Sequence, residues 1–219
     1  MNFFGHYFTD SQEGRPWFNL GLVYPDLFRD LYRKQIPNRI VKRDTQSSID
    51  FVDGMRAHIA RDKMFHQSSF FLHAEKMLKV VYDEYRIQNK LPRTWFMFHI
   101  LSELLIDRQL VQAYSEVANR LYLDMANTML DTLIVDELFE DVVIKTVFLS
   151  RMGLIHQDKF IFAYANNEKL IAALWMLYKR AGIELSMELK ETHTPILHSI
   201  INKLEGDSHF DWAYYTKQL

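Results

Sequence analysis

The sequence predicts an all-α protein. Gly and Pro are scarce, 7 and 5 in 219 residues, which leaves few turn signals and favours long helices over a strand-rich architecture. No Pro interrupts Ser47 to Leu91, and apolar residues such as Phe51, Met55, Ile59 and Phe65 recur at roughly helical intervals. A hydrophobic share of 48%, with 14% aromatic residues, is enough for a packed core and unlike that of a disordered chain.

The apolar N-terminal segment, Met1 to Phe8 with His6 inside it, is expected to dock on the core, and Thr9–Pro16 reads as a polar loop. Phe18–Tyr24 is apolar again. Pro25-Asp26 suits a helix start, with Asp26 in a first turn where the dipole favours a carboxylate, and that helix should run to about Gln35. Asn38–Thr45, with Arg39, Lys42 and Arg43, is expected to be an exposed connector. A helix should follow, capped near Ser47 or Ser48.

Ser68 or Ser69 is a recapping point before a helix over Phe70–Gln88, and Asn89–Pro92 is a turn. Thr94–Val111, Ala113–Leu130 and Asp131–Ser150 read as helices, and Gly153 marks a break in Arg151–Gln157. Two more helices, Lys159–Lys179 and Glu184–Leu204, flank Arg180-Ala181-Gly182, a good C-terminal stop. The aromatic tail Gly206–Leu219 is expected to pack. Nothing reads as a linker or a repeat, so residues 1–219 are expected to form a single helical domain.

Composition narrows the chemistry. A net charge of −2 and a pI near 6.5 give no electrostatic footprint for nucleic acid. Cys is absent, which excludes disulfides and thiolates and restricts any metal site to His, Asp and Glu. The N-terminus shows no basic segment followed by an apolar run, and no uncharged apolar window reaches about 18 residues. Neither a signal peptide nor membrane attachment is expected, and the expected location is cytoplasmic.

Two stretches concentrate ligand-type side chains. His58, Asp62 and His66 are spaced by four, so a helix projects them from one face. His99, Glu103 and Asp107 repeat the device as a narrow polar stripe on a segment that is otherwise apolar nearly all round. Buried carboxylates are costly unless paired or bound to a metal. Each stretch also has a plain reading: the His58–Asp62 pair as a surface salt bridge, with Arg61 or Lys63 as further partners of Asp62, and the second stripe as a solvated face. His66 reads as an ordinary polar residue at a helix end. No Gly-rich phosphate loop and no Gly-x-Ser-x-Gly nucleophile motif is present.

His6, Asp26, His58 and Asp62 together resemble a known pattern. Met1-Asn2-Phe3-Phe4-Gly5-His6, then Gly21-Leu22-Val23-Tyr24-Pro25-Asp26-Leu27, then Gly54, His58 and Asp62 follow the order and spacing of the acyl carrier protein phosphodiesterase family. Its members resemble the wider HD-type metal-dependent phosphohydrolases. The match spans residues 1–110. It departs at Leu22, where the family has Asn, at His66, where the family has Asp, and at a later Asp-His pair for which this chain offers His99, Glu103 and Asp107.

The resemblance implies an HD-like helical bundle and hydrolysis of the phosphodiester that joins 4′-phosphopantetheine to a serine of acyl carrier protein. It also implies a divalent metal, Mn²⁺ being the expected ion, held by His6, Asp26, His58 and Asp62. Asp26 and Asp62 are the expected catalytic carboxylates, with Glu103 and Asp107 as further candidates, either as ligands or as the base that orients water. Arg29, Arg56 or Arg61 would meet phosphate or the acidic carrier protein. Two rivals stay open, a non-catalytic helical interaction protein on the same fold and a phosphohydrolase for another small phosphoester.

Overall fold

A computed structural model describes residues 2–34 and 45–205. Among these residues every regular element is helical and none is a strand, so the chain is all-α. The helices are α1 (Phe3–Asp10), α2 (Pro16–Leu27), α3 (Arg29–Lys34), α4 (Gln46–His66), α5 (Ser69–Glu84) and α6 (Thr94–Ala113). They continue with α7 (Ser115–Leu130), α8 (Thr132–Leu138), α9 (Val142–Asp158), a 3-10 segment (Phe160–Ala165), α10 (Asn167–Arg180) and α11 (Met187–Glu205). The connector expected at Asn38–Thr45 falls, except for Thr45, outside the described residues, as does the tail Gly206–Leu219. The chain divides into two compact units, Met1–Met64 with Ala113–Ile161, and Phe65–Gln112 with Phe162–Leu219. The divisions fall near the ends of α4 and α6 and inside the 3-10 segment rather than in loops, so no composition shift marks them in the sequence.

The first unit is built on an aromatic core. Tyr24 stacks on Phe28 with ring centroids 5.1 Å apart and meets Phe51 edge-on at 5.0 Å, while Phe148 lies against Phe28 at 5.2 Å and stacks on Phe139 at 4.4 Å. All five rings are buried, and aromatic pairs in such geometries each add about 0.5–1.5 kcal/mol beyond their area. Polar ties fix the helices around this core. Asp124 of α7 accepts hydrogen bonds from the Tyr7 hydroxyl of α1 at 2.8 Å and the Asn19 amide of α2 at 2.7 Å. Arg15 clamps Asp50 at the start of α4 through two N–H groups, 3.2 and 2.5 Å, and holds that carboxyl below the usual range.

In the second unit Tyr82 meets Phe98 edge-on at 5.6 Å, and Phe96 meets Tyr178 at 5.1 Å. His193 is a satisfied core histidine: its Nδ1 donates to the Leu189 carbonyl at 2.8 Å and its Nε2 accepts from the Tyr82 hydroxyl at 3.1 Å. The α6 segment is buried nearly all round, as its composition predicts, and its polar stripe is not a solvated face: Glu103 and Asp107 are both buried.

Local chemistry explains where boundaries agree or shift. Ser68 caps α5 by accepting the Phe71 N–H at 3.2 Å. Gly182 ends α10 with φ +71, the left-handed turn for which glycine is suited. The helix start expected at Pro25 is overturned. Pro16 takes the first position of α2, and Pro25 lies in its last turn, where it has no N–H to give the Gly21 carbonyl. The helix closes two residues later, with the Phe28 N–H on the Tyr24 carbonyl at 2.9 Å. Asp26 therefore stands at the C-terminal end of a helix, not in a first turn. The expected helix Asp131–Ser150 is two helices, because Asp141 caps α9 by accepting the Val143 and Ile144 N–H groups at 2.8 and 3.1 Å. α9 then runs straight through Gly153, whose missing side chain faces open space. The segment expected as Lys159–Lys179 begins as a 3-10 turn and becomes α-helical after Asn166 caps α10.

Candidate metal centre

Three helices of the first unit deliver the site. His6 comes from α1, Asp26 from the end of α2, and His58 and Asp62 from successive turns of α4. The α2–α4 crossing sets their spacing. A side-chain carbon added at Gly21 would land on the Phe51 carbonyl oxygen, and one at Gly54 on the Phe18 carbonyl oxygen. Only hydrogen fits at either position, so the two backbones touch there, and Asp26 and His58, about one turn further along each helix, meet.

His6, Asp26 and His58 each offer a ligand atom, and these atoms lie within 4.8 Å of one another. His58 Nε2 stands 3.8 Å from Asp26 Oδ1, and His6 Nε2 stands 3.5 Å from Asp62 Oδ1. The first distance is beyond hydrogen-bond reach. Both fit two donors bound to a common ion at about 2.0–2.2 Å each, which spans up to about 4.4 Å. The two imidazoles lie against each other, tilted by 34°, with centroids 3.8 Å apart. They are buried, whereas the Asp26 and Asp62 side chains are each 33% exposed, so the carboxylates form the open rim.

His58 is prepared as a neutral ligand. Its Nδ1 donates to the Leu22 carbonyl at 2.8 Å, which leaves the Nε2 lone pair turned toward Asp26. Burial, reinforced by the neighbouring His6, pushes its pKa down to about 3 despite the Leu22 bond and the Asp62 charge. Asp26 sits at the negative end of the α2 dipole, where a carboxylate is unfavourable unless a cation stands beside it. The donor set of two imidazoles and two carboxylates suits a Mn²⁺-type ion.

The other expected carboxylates, Glu103 and Asp107, lie in the second unit. Glu103 is held by His66, whose Nε2 is 2.9 Å from Glu103 Oε1, and His99 Nε2 is 3.4 Å from the same oxygen. Asp107 is fully buried one turn further along α6. Of the basic residues expected near an opening, Arg61 is clamped on Asp10 through two N–H groups at 2.9 and 2.5 Å, Arg56 pairs with Asp53 at 3.0 Å, and Arg29 is exposed. Sequence reasoning undervalued His66, although its spacing of four from Asp62 was visible. It missed Glu75, whose Oε1 is 3.1 Å from His99 Nδ1, because nothing in the pattern of α5 distinguishes that carboxylate from its charged neighbours.

Comparison with protein-family models, curated proteins and solved structures gives no match.

Proposed function

We propose that the chain is a metal-dependent phosphodiesterase that acts as the acyl carrier protein phosphodiesterases it resembles, releasing 4′-phosphopantetheine from a carrier-protein serine. The observation that carries this reading is the convergence of His6, Asp26 and His58 ligand atoms within 4.8 Å, with Asp62 beside His6. The ligand residues would be His6, Asp26, His58 and Asp62. A divalent ion held there, Mn²⁺ by the resemblance, supplies Lewis-acid polarisation of a phosphoryl oxygen and makes a nearby water more acidic.

The chain's own residues supply the rest. The Leu22 carbonyl fixes the His58 ring, and burial keeps it uncharged. The Asp26 and Asp62 carboxylates are part-exposed, so a phosphodiester would reach the ion from their side. Hydrolysis places a water oxygen on phosphorus, breaks the bond to the serine oxygen and returns a proton to that oxygen. An Asp62 oxygen would take the proton that the water gives up.

The test is release of phosphopantetheine from holo-acyl carrier protein with added Mn²⁺, run beside hydrolysis of bis(p-nitrophenyl) phosphate. Release that disappears with chelator and with Asp26→Ala supports the reading. Hydrolysis of the generic ester alone moves the substrate to another small phosphoester, and no hydrolysis of either by Mn²⁺-loaded protein overturns the reading.

A further inference from the structure

We propose that His66, His99 and Glu103 form a second metal site, one for a nitrogen-preferring divalent transition ion of the Zn²⁺ class. It lies in the second unit and does not rest on the phosphodiesterase reading. His66 closes α4, His99 and Glu103 are one turn apart on α6, and Glu75 comes from α5, so three helices supply the group.

Both imidazoles aim Nε2 at one oxygen, Glu103 Oε1, at 2.9 and 3.4 Å, and their ring centroids are 4.6 Å apart. Two donors about 2.1 Å from a tetrahedral ion stand about 3.4 Å apart, so these separations already approach those of a bound ion. Glu75 decides the tautomer of His99. Its carboxylate can only accept, so His99 Nδ1 carries the proton of the 3.1 Å hydrogen bond. The Nε2 lone pair of neutral His99 is then turned on an anionic oxygen. A cation between the two removes that repulsion, and a carboxylate behind the imidazole is the arrangement that orients metal-bound histidines.

Glu103 is 8% exposed, and an anion so placed gains from an ion that replaces lost solvent. Entry of Zn²⁺ requires the proton between His66 Nε2 and Glu103 Oε1 to leave Nε2, and His66 then binds as its neutral Nδ1–H tautomer. Two nitrogens and one carboxylate, with a further position left for water, form a Zn²⁺-type donor set, richer in nitrogen than the His–His–Asp–Asp group of the first unit.

The experiment titrates Zn²⁺ into metal-free full-length protein in competition with a chromophoric chelator. His66→Gln and His99→Gln should each bind one Zn²⁺ fewer than the unmodified chain. Asp26→Ala should keep that equivalent, so failure of the phosphodiesterase centre and failure of this site are distinguishable. Glu75→Gln should keep the stoichiometry and weaken the affinity about 10–100-fold. Circular dichroism checks that each variant folds. Imidazole nitrogen resonances of the unmodified protein give a variant-free readout, in which the His66 and His99 Nε2 signals should move on Zn²⁺ addition. Equal Zn²⁺ stoichiometry and affinity in the His66 and His99 variants, or unmoved Nε2 signals, overturns the proposal.

Discussion

Gly21 and Gly54 meet backbone to backbone. A side-chain carbon built on Gly54 would stand 2.9 Å from the Gly21 Cα, and one built on Gly21 would stand 3.0 Å from the Gly54 Cα. The contact locks α2 against α4 at the level from which Asp26 and His58 project.

Gly54→Ala tests that contact. In an exposed helix this change stabilises by about 1 kcal/mol. Here the new methyl strikes a carbonyl oxygen that cannot rotate away, so the helices must part. Overpacking of this kind typically costs about 1–3 kcal/mol, which outweighs the propensity gain. Urea unfolding should show net destabilisation, and Mn²⁺ affinity should fall because Asp26 and His58 separate. A variant as stable as the parent would show that the crossing tolerates a side chain.

Asp26→Ala separates a site residue from a packing residue. Asp26 stands at the unfavourable end of the α2 dipole and is part-exposed, so its removal should leave helical content intact and thermal stability without added metal unchanged or higher. Leu104→Ala should behave oppositely. Leu104 is fully buried in α6, and the cavity should cost about 2–5 kcal/mol. Far-ultraviolet circular dichroism with thermal melts checks both. A large loss of stability in Asp26→Ala without metal would mean that the carboxylate is held for packing.

What was legible in the sequence was local. Scarce Gly and Pro and the unbroken periodic stretch from Ser47 onward predict helices, and helices are what form. Ser68 and Gly182 were readable because a cap and a left-handed stop depend on one residue's own chemistry. Pro25 and Gly153 misled because each is a breaker only on average. Pro25 sits in a last turn, where one lost hydrogen bond ends the helix anyway, and Gly153 sits where the turns of α9 on both sides hold it helical. The convergence of His6 with His58 was expected only from the ordered resemblance, since no periodicity links α1 to α4. Glu75 was illegible, because its role depends on which face of α5 meets His99.

Tyr82→Phe probes the polar link inside the second core. The change removes the hydroxyl that His193 Nε2 accepts from, and leaves a buried ring nitrogen without that donor. Leaving a buried acceptor unsatisfied costs about 1–3 kcal/mol. Chemical denaturation should show a loss in that range with an unchanged slope. No change in midpoint would show that the ring nitrogen finds another donor.

Stability should decline in acid, and His58 sets where the decline begins. Its pKa is pushed from 6.5 in an unfolded chain to about 3 in the fold. Between those values the unfolded chain holds a proton that the folded chain does not, so stability rises with pH across that window. The contribution of neutral His58 is complete above about pH 6.5 and drains away as pH falls toward 3, with a slope approaching 1.4 kcal/mol per pH unit for one proton. Glu103 adds to the same trend lower down. Burial opposes its ionisation, but nearby positive charge and the His66 hydrogen bond outweigh that and hold its carboxyl at about 2, against 4.5 when unfolded. Its stabilisation is present above about pH 4.5 and lost as pH falls toward 2. Urea midpoints measured in chelator from pH 7.5 to 4 should therefore decrease, first with the His58 slope alone and then more steeply. His58→Gln, which keeps a donor for the Leu22 carbonyl but cannot titrate, should flatten the profile between pH 6.5 and 4.5 whatever its absolute stability. Parallel profiles for the two proteins would show that His58 is not the group that reads the proton.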